Sequence, residues 1–269
     1  MYLGVEKGFF KKLGLNVKLT VLTNGTVAIP QVVSGQTQFS MASFAPVLAA
    51  VKQGLPVRII AAANIIPTKK SQFQGFIAKT GGITSLSQAT TIAAQSALID
   101  PVQAGSVDAF GGDYLKLKIL QIPLPSMADT VKSGAADTAL LNQPFLAQAL
   151  ATPGIKLLSY VGLKQSLPGT AGAVFIGAQP YMKANPAVTA AFQKGVLESF
   201  AYAQSHLQEE ANYTPKTGLS PAVPTLISMP EYAAIPVTTA KYTELLKLYS
   251  KYGQNPGKLT AGDILYSAN

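Results

Sequence analysis

The feature that most constrains how this chain can fold is an internal repeat. Val32-Val33-Ser34-Gly35-Gln36-Thr37-Gln38-Phe39-Ser40-Met41 aligns with Val131-Lys132-Ser133-Gly134-Ala135-Ala136-Asp137-Thr138-Ala139-Leu140 at an offset of 99 residues. After each copy comes a polar turn containing proline, Ser43-Phe44-Ala45-Pro46 and Asn142-Gln143-Pro144, then an alanine-rich helical stretch and a β-branched run, Val57-Arg58-Ile59-Ile60 and Ile155-Lys156-Leu157-Leu158. Helix, Ser-Gly stop, strand, polar turn, helix, strand, twice over, predicts two lobes of like topology rather than one barrel or sandwich.

Around the repeat, short β-branched runs alternate with helical stretches bounded by Gly, Pro, Ser and Asn, which predicts an α/β fold with helices flanking mostly parallel sheets. A helix is expected over 2–13 before Gly14, a strand over 16–22, a helix over 26–34 before Gly35, a strand over 38–42, a helix over 46–53 before Gly54 and a strand over 57–63. The second half predicts strands over 91–94, 116–122, 138–141 and 155–160, with helices over 101–110, 127–133 and 145–151. Phe73 to Lys79 and Ala173 to Gly177 read as extended passages between the lobes, a two-stranded hinge. Lobe 1 then comprises 1–76 and 175–269, and lobe 2 comprises 77–174. Helices over 186–208 and 239–252 buttress lobe 1, and Pro215, Pro221, Pro224, Pro230 and Pro236 make 212–236 irregular.

Composition removes several function classes. With 269 residues, 48% of them hydrophobic, the chain can bury a sizeable core. It has no cysteine, which excludes disulfide scaffolds, thiolate metal sites and cysteine nucleophiles, and the single His206 cannot make a multi-histidine metal site. No catalytic residue, metal or cofactor is expected; Asp100, Asp108 and Asp113 do not pair as a general acid and base. The net charge of +9 invites a nucleic-acid reading. Its distribution argues otherwise: Arg58 is the only arginine, and no basic run is longer than Lys11-Lys12 or Lys69-Lys70. No apolar stretch approaches the ~20 residues of a membrane span, and Met1 opens directly on folded-looking sequence with no signal peptide in view.

In parallel α/β sheets, ligands gather at the carboxyl ends of the strands, where helix N-termini present free N–H groups. The turns there read Thr23-Asn24-Gly25-Thr26, Ser43-Phe44, Gln95-Ser96-Ala97 and Asn142-Gln143, all polar or uncharged. Asn24, Gly25, Thr26, Ser43, Phe44, Gln95, Ser96, Asn142 and Gln143 are therefore the candidate ligand-binding residues, with Phe44 an apolar or stacking wall. Asn24, Ser43 and Ser96 equally suit the capping of their own helices. Neutral donors and helix N-termini favour a small organic anion, a sulfonate or carboxylate; a neutral heterocycle is the alternative.

The order and spacing of several segments resemble one family. Tyr2-Leu3-Gly4-Val5-Glu6-Lys7-Gly8-Phe9-Phe10-Lys11-Lys12-Leu13-Gly14-Leu15-Asn16-Val17 is similar to the first helix and second strand of the nitrate/sulfonate/taurine-type solute-binding proteins of ABC importers, a group that includes binders of thiamine pyrimidine precursors. Val33 to Phe39, Gln53 to Ala62 and Gln143-Pro144-Phe145-Leu146 extend the resemblance to about Pro153. It implies a bilobal type II periplasmic-binding-protein fold that closes by a hinge on a small solute. It also implies a monomer that hands the solute to a membrane permease, periplasmic or anchored outside the cell membrane. The chain departs from that pattern in two places. The family carries a strand and loop ahead of the first helix, and many members have an acidic residue where Gln143 stands. By analogy the same fold hosts pyrimidine synthases and desulfinases, which lean on Cys and His clusters, and the effector lobes of transcription regulators, which follow a helix-turn-helix segment.

Overall fold

A glycine divides the first helical stretch. In the computed structural model, α1 (Tyr2–Glu6) closes at Lys7, Gly8 takes φ 76°, and α2 (Phe9–Lys12) restarts from it, so the single helix expected over 2–13 is two. A left-handed residue cannot continue a right-handed helix, and glycine adopts that conformation without a Cβ penalty. The structure describes residues 1–22, 27–65, 72–95, 101–161, 169–212, 231–232, 238–253 and 255–267. The strand expected over 16–22 joins no ladder among them. Leu15, Val17 and Leu19 are half-buried and Asn16, Lys18 and Thr20 exposed, so the stretch has a strand's alternation without a strand's pairing.

The remaining elements of the first half are α3 (Ala28–Val33), β1 (Phe39–Ser43), α4 (Phe44–Lys52) and β2 (Val57–Ile65). The middle of the chain supplies β3 (Gln74–Lys79), β4 (Thr91–Ala94), α5 (Pro101–Ala109), β5 (Lys118–Gln121), α6 (Met127–Ser133), β6 (Thr138–Asn142), α7 (Phe145–Leu150) and β7 (Ile155–Tyr160). The last part adds β8 (Ala171–Ala178), α8 (Gln179–Ala184), α9 (Pro186–Ser205), α10 (Leu207–Ala211), β9 (Glu231–Tyr232), α11 (Thr239–Lys251) and α12 (Ala261–Ile264).

The repeat is structural. β1 and β6 occupy equivalent positions in it, and α3 and α6 both stop at a Ser-Gly pair whose glycine has φ 77° (Gly35) or 84° (Gly134). The sheet orders are β1-β8-β2-β9 and β5-β4-β6-β3-β7. In each, one strand runs against the two repeat strands and sits between them: β8 pairs antiparallel with β1 and β2, and β3 with β6 and β7. Gln74 to Lys79 and Ala173 to Gly177, expected as extended passages, are thus extended and lie as interior strands of the two sheets. The expectation of mostly parallel sheets is corrected accordingly. The helix-linked strands do run parallel to one another, and β4 ladders in parallel with β5 and β6, but the inserted strand makes the neighbouring ladders antiparallel.

Two compact units result: Met1–Ile66 with Gly169–Tyr213 and Glu231–Asn269, and Pro67–Pro168 with Thr214–Pro230. Strand pairing places Gln74 to Phe76 in the second unit and Ala171 to Val174 in the first. The two units meet in sequence at Ile66/Pro67 and Pro168/Gly169. In the first unit Phe10, Ile60, Phe175, Met182, Phe192, Val196 and Phe200 form one core, with Phe39 stacked on Phe192 at 4.2 Å between ring centroids. Such aromatic pairs contribute about 0.5–1.5 kcal/mol beyond the area they bury. α9 lies close against α2 because Gly195 faces Phe10; a Cβ there would sit 2.5 Å from the ring. Where β2 slips register at Ile60, Gln193 Nε2 donates to the Ile60 carbonyl at 2.6 Å and satisfies it.

In the second unit Ile77, Ala93, Met127, Val131, Ala139, Leu141 and Leu146 make the core. A carboxylate pins its edge. Asp137 Oδ2 accepts from the backbone N–H and hydroxyl of both Thr90 and Thr91 at 2.8–2.9 Å, tying the turn after α6 to the start of β4.

Candidate functional site

The carboxyl ends of β4, β5 and β6 lie along one edge of the second sheet, where antiparallel β3 begins and β7 ends. That edge carries a row of side-chain amides: Gln121 ends β5, Gln95 follows β4, Asn142 ends β6 with Gln143 after it, and Gln74 opens β3. Gln74 and Asn142 share a rung, and Gln74 Nε2 donates to Asn142 Oδ1 at 2.8 Å. Asn142 Nδ2 and the side-chain amide of Gln95 bond to no described residue; the Gln95 carbonyl accepts from Gln121 Nε2 at 3.4 Å. No charged side chain stands among these described edge residues.

Gln143 is held more tightly. Its N–H donates to the Phe73 carbonyl at 2.7 Å, its Oε1 accepts from Ala147 N–H at 3.1 Å inside the first turn of α7, and its Nε2 donates to the Gln72 carbonyl at 3.3 Å. The Gln143–Pro144 peptide is cis. An amide bonded at both ends fastens the start of α7 to the lead-in of β3, so Gln143 serves the edge by shaping it.

In the first unit, Ser43 ends β1 and is the N-cap of α4, yet its hydroxyl makes no capping bond and is exposed. Phe44 does not form a wall open to solvent. It is 3% exposed and packs into the core, its ring 5.0 Å from Tyr249 and 5.6 Å from Tyr242. The cause is that α4 begins at Phe44, which puts it on one stripe with Val47, Leu48 and Val51, all buried. Ser43, Ala173, Asn64 and Tyr232 occupy one rung across β1, β8, β2 and β9. Asn24, Gly25, Thr26 and Ser96 lie outside the described residues.

Asn64, Gln74 and Gln121 escaped the reading of the sequence. Each is an uncharged amide at or next to a strand terminus on the polar edge of its sheet, and that is the signal by which they were recognisable. His206 sits apart on the surface of the first unit, stacked on Tyr202 at 3.8 Å, while Glu209 accepts from Tyr202 and pairs with Lys7 at 2.5 Å. The Lys7 ammonium holds the Glu209 carboxyl below the ordinary carboxylate range. Among the described residues no cluster of three His, Cys, Asp or Glu is placed to hold a metal, and no helix is long and apolar enough to cross a membrane.

A family model described as NMT1/THI5 like matches residues 1–210. The formylaminopyrimidine-binding protein of Halalkalibacterium halodurans is 23% identical over 224 residues, covering 79% of this chain and 64% of that protein, so the chain spans less than two thirds of that relative's length. The ligand-binding component of an ABC-type import system from Staphylococcus aureus, solved with zinc bound, superposes with a TM-score of 0.78 at 12% identity, over 98% of this chain and 92% of that one. The alkanesulfonate-binding protein SsuA from Xanthomonas axonopodis pv. citri, bound to MOPS, superposes with a TM-score of 0.72 at 12% identity, over 98% and 93%. At such identities the likeness speaks for the fold, and that fold is the periplasmic-binding-protein fold.

Proposed function

The chain belongs to the NMT1/THI5-like family, and from that membership we propose that it is the solute-binding component of an ABC-type importer, taking a small organic anion, a sulfonate or carboxylate. The observation that carries the choice of solute is the uncharged amide edge of the second unit. Gln95 and Asn142 offer N–H donors with no acceptor among the described residues to compete for them, and no described carboxylate on that edge would repel an anion. The net charge of +9 adds a field that draws anions toward the molecule. Structural likeness to an alkanesulfonate-binding protein supports the same class.

Asn24, Gly25, Thr26, Ser43, Gln95, Ser96, Asn142 and Gln143 remain the proposed binding set, with Phe44 contributing through the core. Closure of the two units on the solute, delivery to a membrane permease and a place outside the cytoplasm belong to the same proposal, as does binding without turnover. A second reading, a neutral aminopyrimidine, is favoured by the formylaminopyrimidine-binding relative and by the paired Gln74 and Asn142 amides, which present donors and acceptors together.

Thermal unfolding with taurine, benzenesulfonate, benzoate and a formylaminopyrimidine separates the two. A solute at a hundred times its Kd stabilises the folded chain by about 2.7 kcal/mol, a shift of several degrees. Sulfonates or carboxylates raising Tm is the expected result. A shift with the pyrimidine alone replaces the first reading by the second, and no shift with any of the four overturns solute binding of either class.

A further inference from the structure

Asn64 stands one residue before the end of β2, on the rung that holds Ser43 at the end of β1, and Ser43 is the repeat equivalent of Asn142 in the second unit. We infer that Asn64 is a solute-contacting residue of the first unit, its side-chain amide kept free of protein partners so that Nδ2 can donate to an oxygen of the bound anion. The inference rests on the solute-binding reading and deepens it.

Three observations meet at this side chain. The first is its lack of partners: Asn64 Oδ1 is enclosed and accepts no hydrogen bond, and Nδ2 bonds to no described residue. Most buried polar groups in folded proteins are bonded, and leaving one unpaired costs stability. A stable edge gains nothing from such a group, so its retention calls for another reason. The contrast within the molecule is direct, since Gln74 and Asn142 on the corresponding edge of the second sheet bond each other at 2.8 Å.

The second observation is a bulge aimed at it. Asn64 pairs with Ala173 and Ile65 with Ala171, leaving Gly172 as the extra residue on β8. Bulges next to binding sites re-aim a side chain that the regular pleat would send elsewhere. The third is the glycine itself. A Cβ on Gly172 would lie 2.7 Å from Asn64 Oδ1, so a larger residue there would have to displace the amide from this position. Oδ1 faces that backbone and is the enclosed atom, which leaves Nδ2 as the accessible one; the group it suits is an acceptor, as a sulfonate or carboxylate oxygen is. Gly172 is then a positioning residue acting through Asn64.

The test uses the whole chain carrying Asn64→Ala, Asn64→Asp or Gly172→Ala, with taurine, benzenesulfonate and benzoate as probes in titration calorimetry and thermal unfolding. Without probe, Asn64→Ala is expected to leave Tm unchanged or raise it, because an unpaired amide has gone. With probe, Asn64→Ala is expected to lose tenfold or more in affinity, and Asn64→Asp more, since an anionic oxygen would face a carboxylate. Gly172→Ala is expected to lose affinity with Asn64 intact. A fall of several degrees in probe-free Tm for Asn64→Ala, or affinity retained in Asn64→Ala while wild type binds, overturns the inference and leaves the solute-binding reading standing. Wild type that binds none of the probes or the pyrimidine overturns the reading itself.

Discussion

Tyr242 carries its hydroxyl into the first unit's core, 2% exposed and without a hydrogen-bond partner, with its ring against Phe44. Burial pushes its phenol pKa up. Removing that oxygen costs no bond, so Tyr242→Phe is expected to be neutral or to stabilise the chain by up to about 1–2 kcal/mol, read from urea denaturation midpoints; a loss of more than about 1 kcal/mol would mean the hydroxyl has a partner after all. Phe44 shows how much one side chain's direction depends on a boundary. The apolar spacing of Phe44, Val47, Leu48 and Val51 was present in the sequence as a helical stripe. A helix that starts at Pro46 leaves Phe44 in the turn, where a ligand could reach it; α4 starts at Phe44 instead. Ser43, Gln95 and Asn142 are legible as strand-end polar positions because the strand-like runs before them mark where the strands stop; the surroundings of Asn64 are not, because the bulge at Gly172 lies on β8 and β2 does not reveal it.

Among elements, the turn between α6 and β6 is held by Asp137, whose bonds to Thr90 and Thr91 reach across the second sheet. Burial by itself pushes the Asp137 carboxyl up, but the four donors outweigh it and hold the pKa below the ordinary carboxylate value. A folded-state pKa below the unfolded one of about 3.9 means the contribution is complete near neutrality and is lost as pH falls through the folded value. Asp137→Asn is therefore expected to lower stability by about 1–3 kcal/mol at pH 7, and the gap from wild type to narrow in denaturation curves taken below about pH 4; a gap independent of pH would show that the charge does not matter. Local signals placed β4, α6 and β7 with the boundaries seen, because Ser-Gly stops and β-branched runs act over a few residues. The direction of β3 and β8 could not be read that way. Strand polarity is set by which distant partners a strand finds, and Gln74–Lys79 reads the same in either direction. The stretch 16–22 makes the complementary point, since alternation was legible and pairing was not.

At the scale of the molecule, duplication was visible as a 99-residue offset and two compact units follow it. What the repeat concealed is that each unit's sheet needs a strand from outside its own copy: β3 comes before the second copy and β8 after it. The second sheet is drawn from one uninterrupted stretch, β3 to β7. The first is not, because Ser43 and Asn64 must wait for Ala173. Closing so long a loop delays pairing. Pulse-labelled hydrogen exchange during refolding is expected to find the amides of β4 and β6 protected before those of β1 and β2, and the opposite order would contradict this. A ribosome making the chain from its N-terminus thus emits β1 and β2 first yet cannot join them until β8 has left the exit tunnel. The half of the protein synthesised earliest is the half completed last, and through that interval its strand edges lie open to any chaperone that guards them.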